Sequence, residues 1–163
     1  MINIRDAIET DLPAMCDMLN AEIRASTATW TTVERSHRAM RKWWMDLRRD
    51  GYPTLVAYDG DTLAGYANYG RWRTWPGYWR AAENSVYVAP SVQKRGIGRA
   101  LLDALADRAR YQGLSALIGV IGHDRTGSLA LHQACGYVEV GRLPGVGEKF
   151  GQRLDMVIMQ RDL

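Results

Sequence analysis

Gln93-Lys94-Arg95-Gly96-Ile97-Gly98-Arg99 packs three cations and two bare glycines into one short stretch. Residues 82–88, just before it, are rich in β-branched and aromatic side chains and read as a strand. Pro90 withdraws a backbone donor and ends that strand. Just after the turn, Ile97, Leu101, Leu105 and Ala109 recur every fourth residue, which predicts a helix with one apolar face. Gly113 is a natural stop for it. A strand that feeds a glycine-rich turn opening a helix is a device for holding phosphate. The first amides of a helix have no partner within it, and the helix dipole makes that end positive. Gly96 and Gly98 carry no Cβ, so an anion can approach the backbone. The spacing excludes two common phosphate motifs. No G-x-x-x-x-G-K-[ST] is present, and Ala100 and Leu101 stand where a dinucleotide fingerprint needs a third glycine.

Strand alternation puts Glu83, Ser85 and Tyr87 on one face and Asn84, Val86 and Val88 on the other. Taken alone, Glu83 reads as a structural acid; beside a phosphate turn it reads as a base. Upstream, Arg71-Trp72-Arg73-Thr74-Trp75-Pro76-Gly77-Tyr78-Trp79-Arg80 is too irregular for a helix. Guanidinium forks there can grip an anionic small molecule between aromatic walls. A surface loop or a contact between copies of the chain would use the same side chains. Trp30, closing residues 25–30, is either a lid over a ligand or a hydrophobic plug. His37, His123 and His132 lack ligand spacing, and Cys16 and Cys135 are far apart, so no metal site is expected.

The elements that must position these groups follow from periodicity and punctuation. Residues 2–7 read as a first strand. Thr10 or Asp11 can cap a helix carrying Leu12, Met15, Cys16, Leu19 and Ile23. Thr31-x-x-Glu34 has the spacing of a capping box for a second helix, with Met40, Trp43, Trp44 and Leu47 on one face. Its arginines read as a solvated face rather than as a nucleic-acid stripe. Residues 54–58 and 62–69 form a hairpin around Asp59-Gly60. Strands at 116–121, 138–142 and 154–159, and a short helix at 126–134, complete the chain. Residues 141–151, with four glycines and Pro144, read as a long connection.

The chain has 163 residues, nearly half of them apolar, and a net charge of +3. That length predicts one domain over residues 1–163, and the charge mildly favours anionic ligands. Two isolated cysteines indicate free thiols in a reducing compartment. No signal peptide and no apolar run near a membrane helix's length can be read. The expectation is a cytoplasmic protein that binds neither membrane nor nucleic acid.

Gln93-x-x-Gly96-x-Gly98 resembles the Q/R-x-x-G-x-G/A signature of the GCN5-related N-acetyltransferase (GNAT) superfamily. Ser128-Leu129-Ala130-Leu131-His132-Gln133-Ala134-Cys135-Gly136-Tyr137 is similar to that superfamily's S-x-x-L-H-x-x-x-G-F/Y segment. Pieces spread from end to end resemble the phosphinothricin and methionine sulfoximine/sulfone N-acetyltransferases. They are Thr27-Ala28-Thr29-Trp30, Gly51-Tyr52-Pro53, Trp72-Arg73, Glu83-x-Ser85-Val86-Tyr87-Val88, Val146-Gly147-x-Lys149-Phe150-Gly151 and Leu154-Asp155. The resemblance implies an α/β (α+β) fold whose central, mixed but mostly antiparallel sheet is flanked by helices. It implies transfer of acetyl from acetyl-coenzyme A to the α-amine of a small amino acid, without a metal, by a homodimer. Val86, Tyr87 and Val88 would line the acyl and pantetheine arm. Gln93, Lys94, Arg95, Gly96, Ile97, Gly98 and Arg99 would hold the pyrophosphate, with Ser128 beside them. Trp30, Arg73, Thr74, Trp75, Glu83, Asn84 and Ser85 would line the acceptor pocket, with Glu83 as the catalytic base. Tyr137 could supply a proton, though relatives with Phe there argue against requiring it. Three positions depart from the pattern: Arg125 replaces a usual Asn, Asn84 a frequent His and Trp75 a smaller Phe. Two other readings compete: a module that holds coenzyme A or RNA without chemistry, and an acetyltransferase for polyamines or peptide N-termini.

Overall fold

A computed structural model describes residues 2–163. The expected period-four stripe forms α3 (Ile97–Tyr111), which buries Ile97, Leu101, Leu102, Leu105, Ala106 and Ala109. Gly113, at φ 77°, lets the Leu114 amide turn back onto the Ala109 carbonyl at 3.0 Å and stops the helix. Its apolar face meets β2 (Thr54–Asp59), β3 (Thr62–Arg71) and β4 (Ala81–Val88).

On the opposite face, α1 (Leu12–Ala25) and α2 (His37–Arg49) bring Leu12, Met15, Cys16, Met40 and Trp44 against Val56, Leu63 and Tyr66. Arginines of this region stack on the tryptophans, Arg48 over Trp44 at 4.6 Å and Arg35 over Trp43 at 5.1 Å. The aromatics of α2 are therefore packing residues, as their spacing predicts.

β1 (Ile2–Asp6), β5 (Ala116–Gly122), β6 (Val138–Lys149) and β7 (Gln152–Asp162) complete a seven-stranded sheet in the order β1-β2-β3-β4-β5-β7-β6. Every neighbouring pair is antiparallel except β4–β5. That parallel pair needs a crossover, and α3 supplies it. The remaining helix, α4 (Thr126–Ala134), follows β5.

Three expectations are corrected. The second helix starts at His37, and its cap is Ser36, whose Oγ accepts from the Ala39 amide at 3.1 Å. Thr31 instead takes the Val33 amide, and Glu34 pairs with Arg24. Ser36→Ala is expected to cost about 1 kcal/mol in chemical denaturation, whereas Thr31→Ala should cost only a few tenths. Asp11 does not cap α1 with its side chain. Its carboxylate takes both forks of Arg5 at 2.7 and 2.8 Å, the Ile8 amide at 2.8 Å and the Tyr58 hydroxyl at 2.8 Å. Residues 141–149 are not a loop: β6 runs on to Lys149, with register shifts that absorb Pro144 and its glycines.

Candidate active site

β4 and β5 pair only from Ala81↔Ala116 to Asn84↔Gly119. Beyond that point they part. β4 stays on β3 as far as Gly65↔Val88, and β5 stays on β7 as far as Gly122↔Met156. Each diverging strand thus keeps one partner and turns an unpaired backbone edge inward. Between them lies a cleft of about 690 Å³, with Ser85, Val86, Tyr87 and Val88 along one side and Val120, Ile121 and Gly122 along the other. The volume suits a cofactor-sized ligand. An extended amide chain laid in it could bond to those free edges as a missing strand would.

The phosphate turn forms the mouth of this cleft. Gln93, Lys94, Gly96, Ile97, Gly98 and Arg99 all line it. Gly96 is the N-cap of α3 at φ 83°, a conformation that favours glycine. The first helical bond is from the Ala100 amide to the Gly96 carbonyl at 3.0 Å. The amides of Ile97, Gly98 and Arg99 precede it and have no helical acceptor. Ile97 offers only its backbone, because its side chain is buried in the core. Gly98 is glycine for a second reason, close packing. A Cβ there would sit 2.8 Å from Leu131 of α4, so the residue lets the two helices meet. Arg95 departs from expectation: its guanidinium turns to Asp59, 2.9 Å away, and leaves the cleft to Lys94 and Arg99. Ser128 and Arg125 line the opposite wall at the start of α4. The free amides, the two cations and the parted strand edges fit a diphosphate with a pantetheine arm.

Asn84 marks the point where the strands separate. Its side chain lies on the face away from Glu83 and lines the cleft from a buried position. The carboxamide is spent within the protein. Its Nδ2 donates to His132 Nε2 at 3.2 Å, and its Oδ1 accepts from the Tyr137 hydroxyl at 3.0 Å. His132 Nδ1 in turn donates to the Ser128 carbonyl at 2.8 Å. Burial holds the imidazole below its ordinary pKa, in keeping with a neutral ring. Burial also pushes the Tyr137 phenol well up, and its proton is committed to Asn84. Asn84, His132 and Tyr137 thus form a closed polar floor.

Glu83 sits one residue before the parting point, opposite Gly70 of β3, on the same face as the cleft-lining Ser85. It is half-buried, and its side chain forms no hydrogen bond or ion pair among the described residues. Burial pushes its carboxyl up, and the Arg73 charge partly offsets this. Arg73 stacks on Trp72 at 3.8 Å and donates to the Trp72 carbonyl. Thr74 is exposed, and so is Trp75 at 75%. The expectation that Trp75 walls a small closed pocket is corrected. In the isolated chain it walls nothing, because no element packs over the segment. Trp30 is part-buried against Gly147 of β6, where a Cβ would run into its ring.

Sequence reasoning missed four cleft residues that come from distant segments: Glu22, Ala28, Asp124 and His132. The signals for two of them were the Thr27-Ala28-Thr29-Trp30 piece and the helical segment around His132. Among the described residues no group of three or more His, Cys, Asp or Glu could hold a metal ion.

The profile of the Acetyltransferase (GNAT) family matches residues 15–137. The L-methionine sulfoximine/L-methionine sulfone acetyltransferase of Pseudomonas aeruginosa is 42% identical over 99% of this chain and 94% of its own length. A phosphinothricin acetyltransferase from Sinorhizobium meliloti, solved in complex with AcCoA, superposes with a TM-score of 0.96 at 32% identity. That match covers 99% of this chain and 88% of the other. A ribosomal-protein-alanine N-acetyltransferase from Brucella melitensis superposes with a TM-score of 0.96 at 38% identity, covering 99% of each chain. With a family profile over most of its length and relatives matched from end to end, the chain belongs to the GNAT family of acetyltransferases.

Proposed function

We propose that this protein moves acetyl from acetyl-coenzyme A to the α-amine of a small amino acid, of the methionine sulfone, methionine sulfoximine or phosphinothricin kind. The observation that carries the reading is the placement of Glu83, unpartnered and half-buried, one residue before β4 and β5 separate. The likeness to the Pseudomonas aeruginosa and Sinorhizobium meliloti enzymes supports the substrate class.

The donor supplies an activated acetyl group, which the parted strands and the turn before α3 would hold. An ammonium has no free lone pair, and an α-amine of pKa about 8 is only about a tenth neutral at pH 7. Glu83 takes that proton, directly or through water. The amine then attacks the thioester carbon, so that a C–N bond forms and the C–S bond breaks, and the nitrogen gives up its second proton to water. The developing oxyanion is met by a backbone amide near Val88. The leaving thiolate, of pKa about 8.5, takes a proton from solvent without needing a dedicated acid. Tyr137 is not that acid, since its hydroxyl already donates to Asn84. Arg73 grips the acceptor's anionic group, with Thr74, Ser85 and Trp30 around it.

We place this chemistry in a single domain, in the cytoplasm where the donor is available, and in a homodimer. Exposed Val138, Val140, Leu143 and Val146 on edge strand β6 support self-association, as does exposed Trp75. No helix among the described residues is long and apolar enough to cross a membrane.

The test is thiol release from acetyl-coenzyme A with a panel of acceptors. Methionine sulfone, methionine sulfoximine and phosphinothricin should give the highest kcat/KM. A peptide with N-terminal alanine or a polyamine outperforming all three would overturn the substrate class. No turnover with any amine, combined with steeply salt-dependent RNA binding, would overturn the enzyme reading.

A further inference from the structure

The segment Val146-Gly147-Glu148-Lys149-Phe150-Gly151 enters none of the steps above, yet it holds an unusual group. The chain has three lysines, Lys42, Lys94 and Lys149. The first two are exposed, whereas Lys149 is 2% exposed. Its ammonium forms no ion pair with a carboxylate among the described residues. Its Nζ donates instead to two backbone carbonyls, Ser26 O and Thr29 O, each at 2.6 Å. The Phe150 ring covers it at 4.9 Å.

Burying a cation with no directly paired carboxylate, only the charge of Glu22 nearby, works against stability, and a methionine would fill the same space at lower cost. What the ammonium provides is a double tie to one short segment, residues 26–30. Three further contacts hold the same segment. Thr27 Oγ1 donates to Asp124 Oδ2, and Ser26 Oγ donates to Glu22 Oε2. The Trp30 ring lies against Gly147, too close for any Cβ there. Glu22, Ala28 and Asp124, at or beside these ties, line the cleft. The segment is therefore a strap that touches the cleft at Ala28, anchored at one end by α1 and fastened at the other by the β6–β7 hairpin.

We propose that Lys149 is a positioning residue that clasps residues 26–30 to that hairpin and thereby fixes the wall of the acceptor pocket carrying Trp30. The proposal rests on the reading that the acceptor amine binds on the Glu83 side. Lysine suits the role because its compact ammonium carries three rotatable donors, enough to serve two carbonyls under an aromatic face in a small buried space.

The experiment compares wild type with Lys149→Met in two ways. The first needs no substrate. With 5-fluorotryptophan incorporated, the Trp30 resonance is identified by Trp30→Phe and followed by fluorine NMR. In Lys149→Met it should shift and broaden while resonances from the α2 tryptophans stay in place. The second is kinetic. KM for the acceptor should rise by about tenfold or more, while KM for acetyl-coenzyme A changes by less than about threefold. An unmoved Trp30 resonance overturns the clasp. Both KM values unchanged, or both raised together, overturns its role in the acceptor wall. If Lys149→Met does not fold, native-state reductive methylation of wild type decides. Lys42 and Lys94 should be modified quickly and Lys149 only on unfolding; equal rates overturn the clasp. Should no amino acid prove to be an acceptor, the fluorine and labelling results still stand apart from that failure.

Discussion

Glu83→Gln is expected to lower kcat/KM for the amino-acid acceptor by about 10² to 10⁴ at pH 7, with KM for acetyl-coenzyme A little changed. The substitution keeps size and shape, and Glu83 has no hydrogen bond among the described residues that Gln would break. What it removes is the proton acceptor. The pH profile tests the role more sharply than the rate. Burial raises the Glu83 carboxyl above its ordinary 4.5, so the acid limb of kcat/KM in wild type should lie above that value. The base must be ionised to act, so activity falls as pH drops through the limb. The Glu83→Gln variant should lack this limb and keep only the one set by the amine itself. Arg73 is the group that favours the ionised form. Arg73→Ala should therefore move the limb to higher pH, besides raising KM for an anionic acceptor. Stability moves the other way. A carboxyl whose pKa is raised on folding destabilises the native state once pH exceeds the unfolded value, and Gln removes that penalty. Glu83→Gln should then melt no lower than wild type at pH 7, with any gain vanishing below pH about 4. Full rate at saturating acceptor across the pH range would remove Glu83 from the chemistry.

How much of this was legible in the sequence depended on the range of the interactions. The run from Glu83 to Ala109 is read correctly as strand, turn and helix because each signal is local: alternation, Pro90, Gly96 and a period-four stripe. The hairpin at Asp59-Gly60 is local as well. Thr31 and Glu34 show the limit of such signals. Their spacing suits a capping box, yet each side chain finds another partner in Val33 and Arg24, and the helix waits for Ser36. Pro144 and four glycines hide β6, since a bulged edge strand tolerates residues that a regular strand rejects. Exposure could be read in the periodic helices but not in the irregular segments. Trp75 looks like a pocket wall until the fold leaves it in solvent. Arg95 looks like a phosphate ligand until β2 brings Asp59 beside it. The strap and the cleft floor join residues more than forty positions apart, and no spacing rule connects Lys149 with Thr29 or Asn84 with His132.

That floor carries the second large effect. Asn84→Leu keeps the branch at Cγ, at a larger volume, but leaves His132 Nε2 and the Tyr137 hydroxyl buried without their partner. Each orphaned group costs about 1–3 kcal/mol, so a total of about 2–5 kcal/mol is expected. For a chain of this length that corresponds to a fall in Tm of about 5–15 °C. Tyr137→Phe alone should lose about 1–2 kcal/mol, since only Asn84 Oδ1 is orphaned. The double variant should lose less than the sum, because the Tyr137 hydroxyl is no longer there to be stranded. His132 adds a pH signature. Burial depresses its pKa below 6.5, so the stability it contributes is complete above that value and is lost as pH falls. His132→Phe should flatten that acid limb of the stability curve. Activity should separate the members of the floor. Tyr137→Phe should keep kcat within a few-fold, as its hydroxyl does not face the cleft. Asn84→Leu should lower kcat more, because residue 84 fixes where β4 leaves β5 and hence how Glu83 and Ser85 face the acceptor. Strict additivity of the two stability losses would mean that the three side chains are not coupled, and that packing alone holds the strands apart.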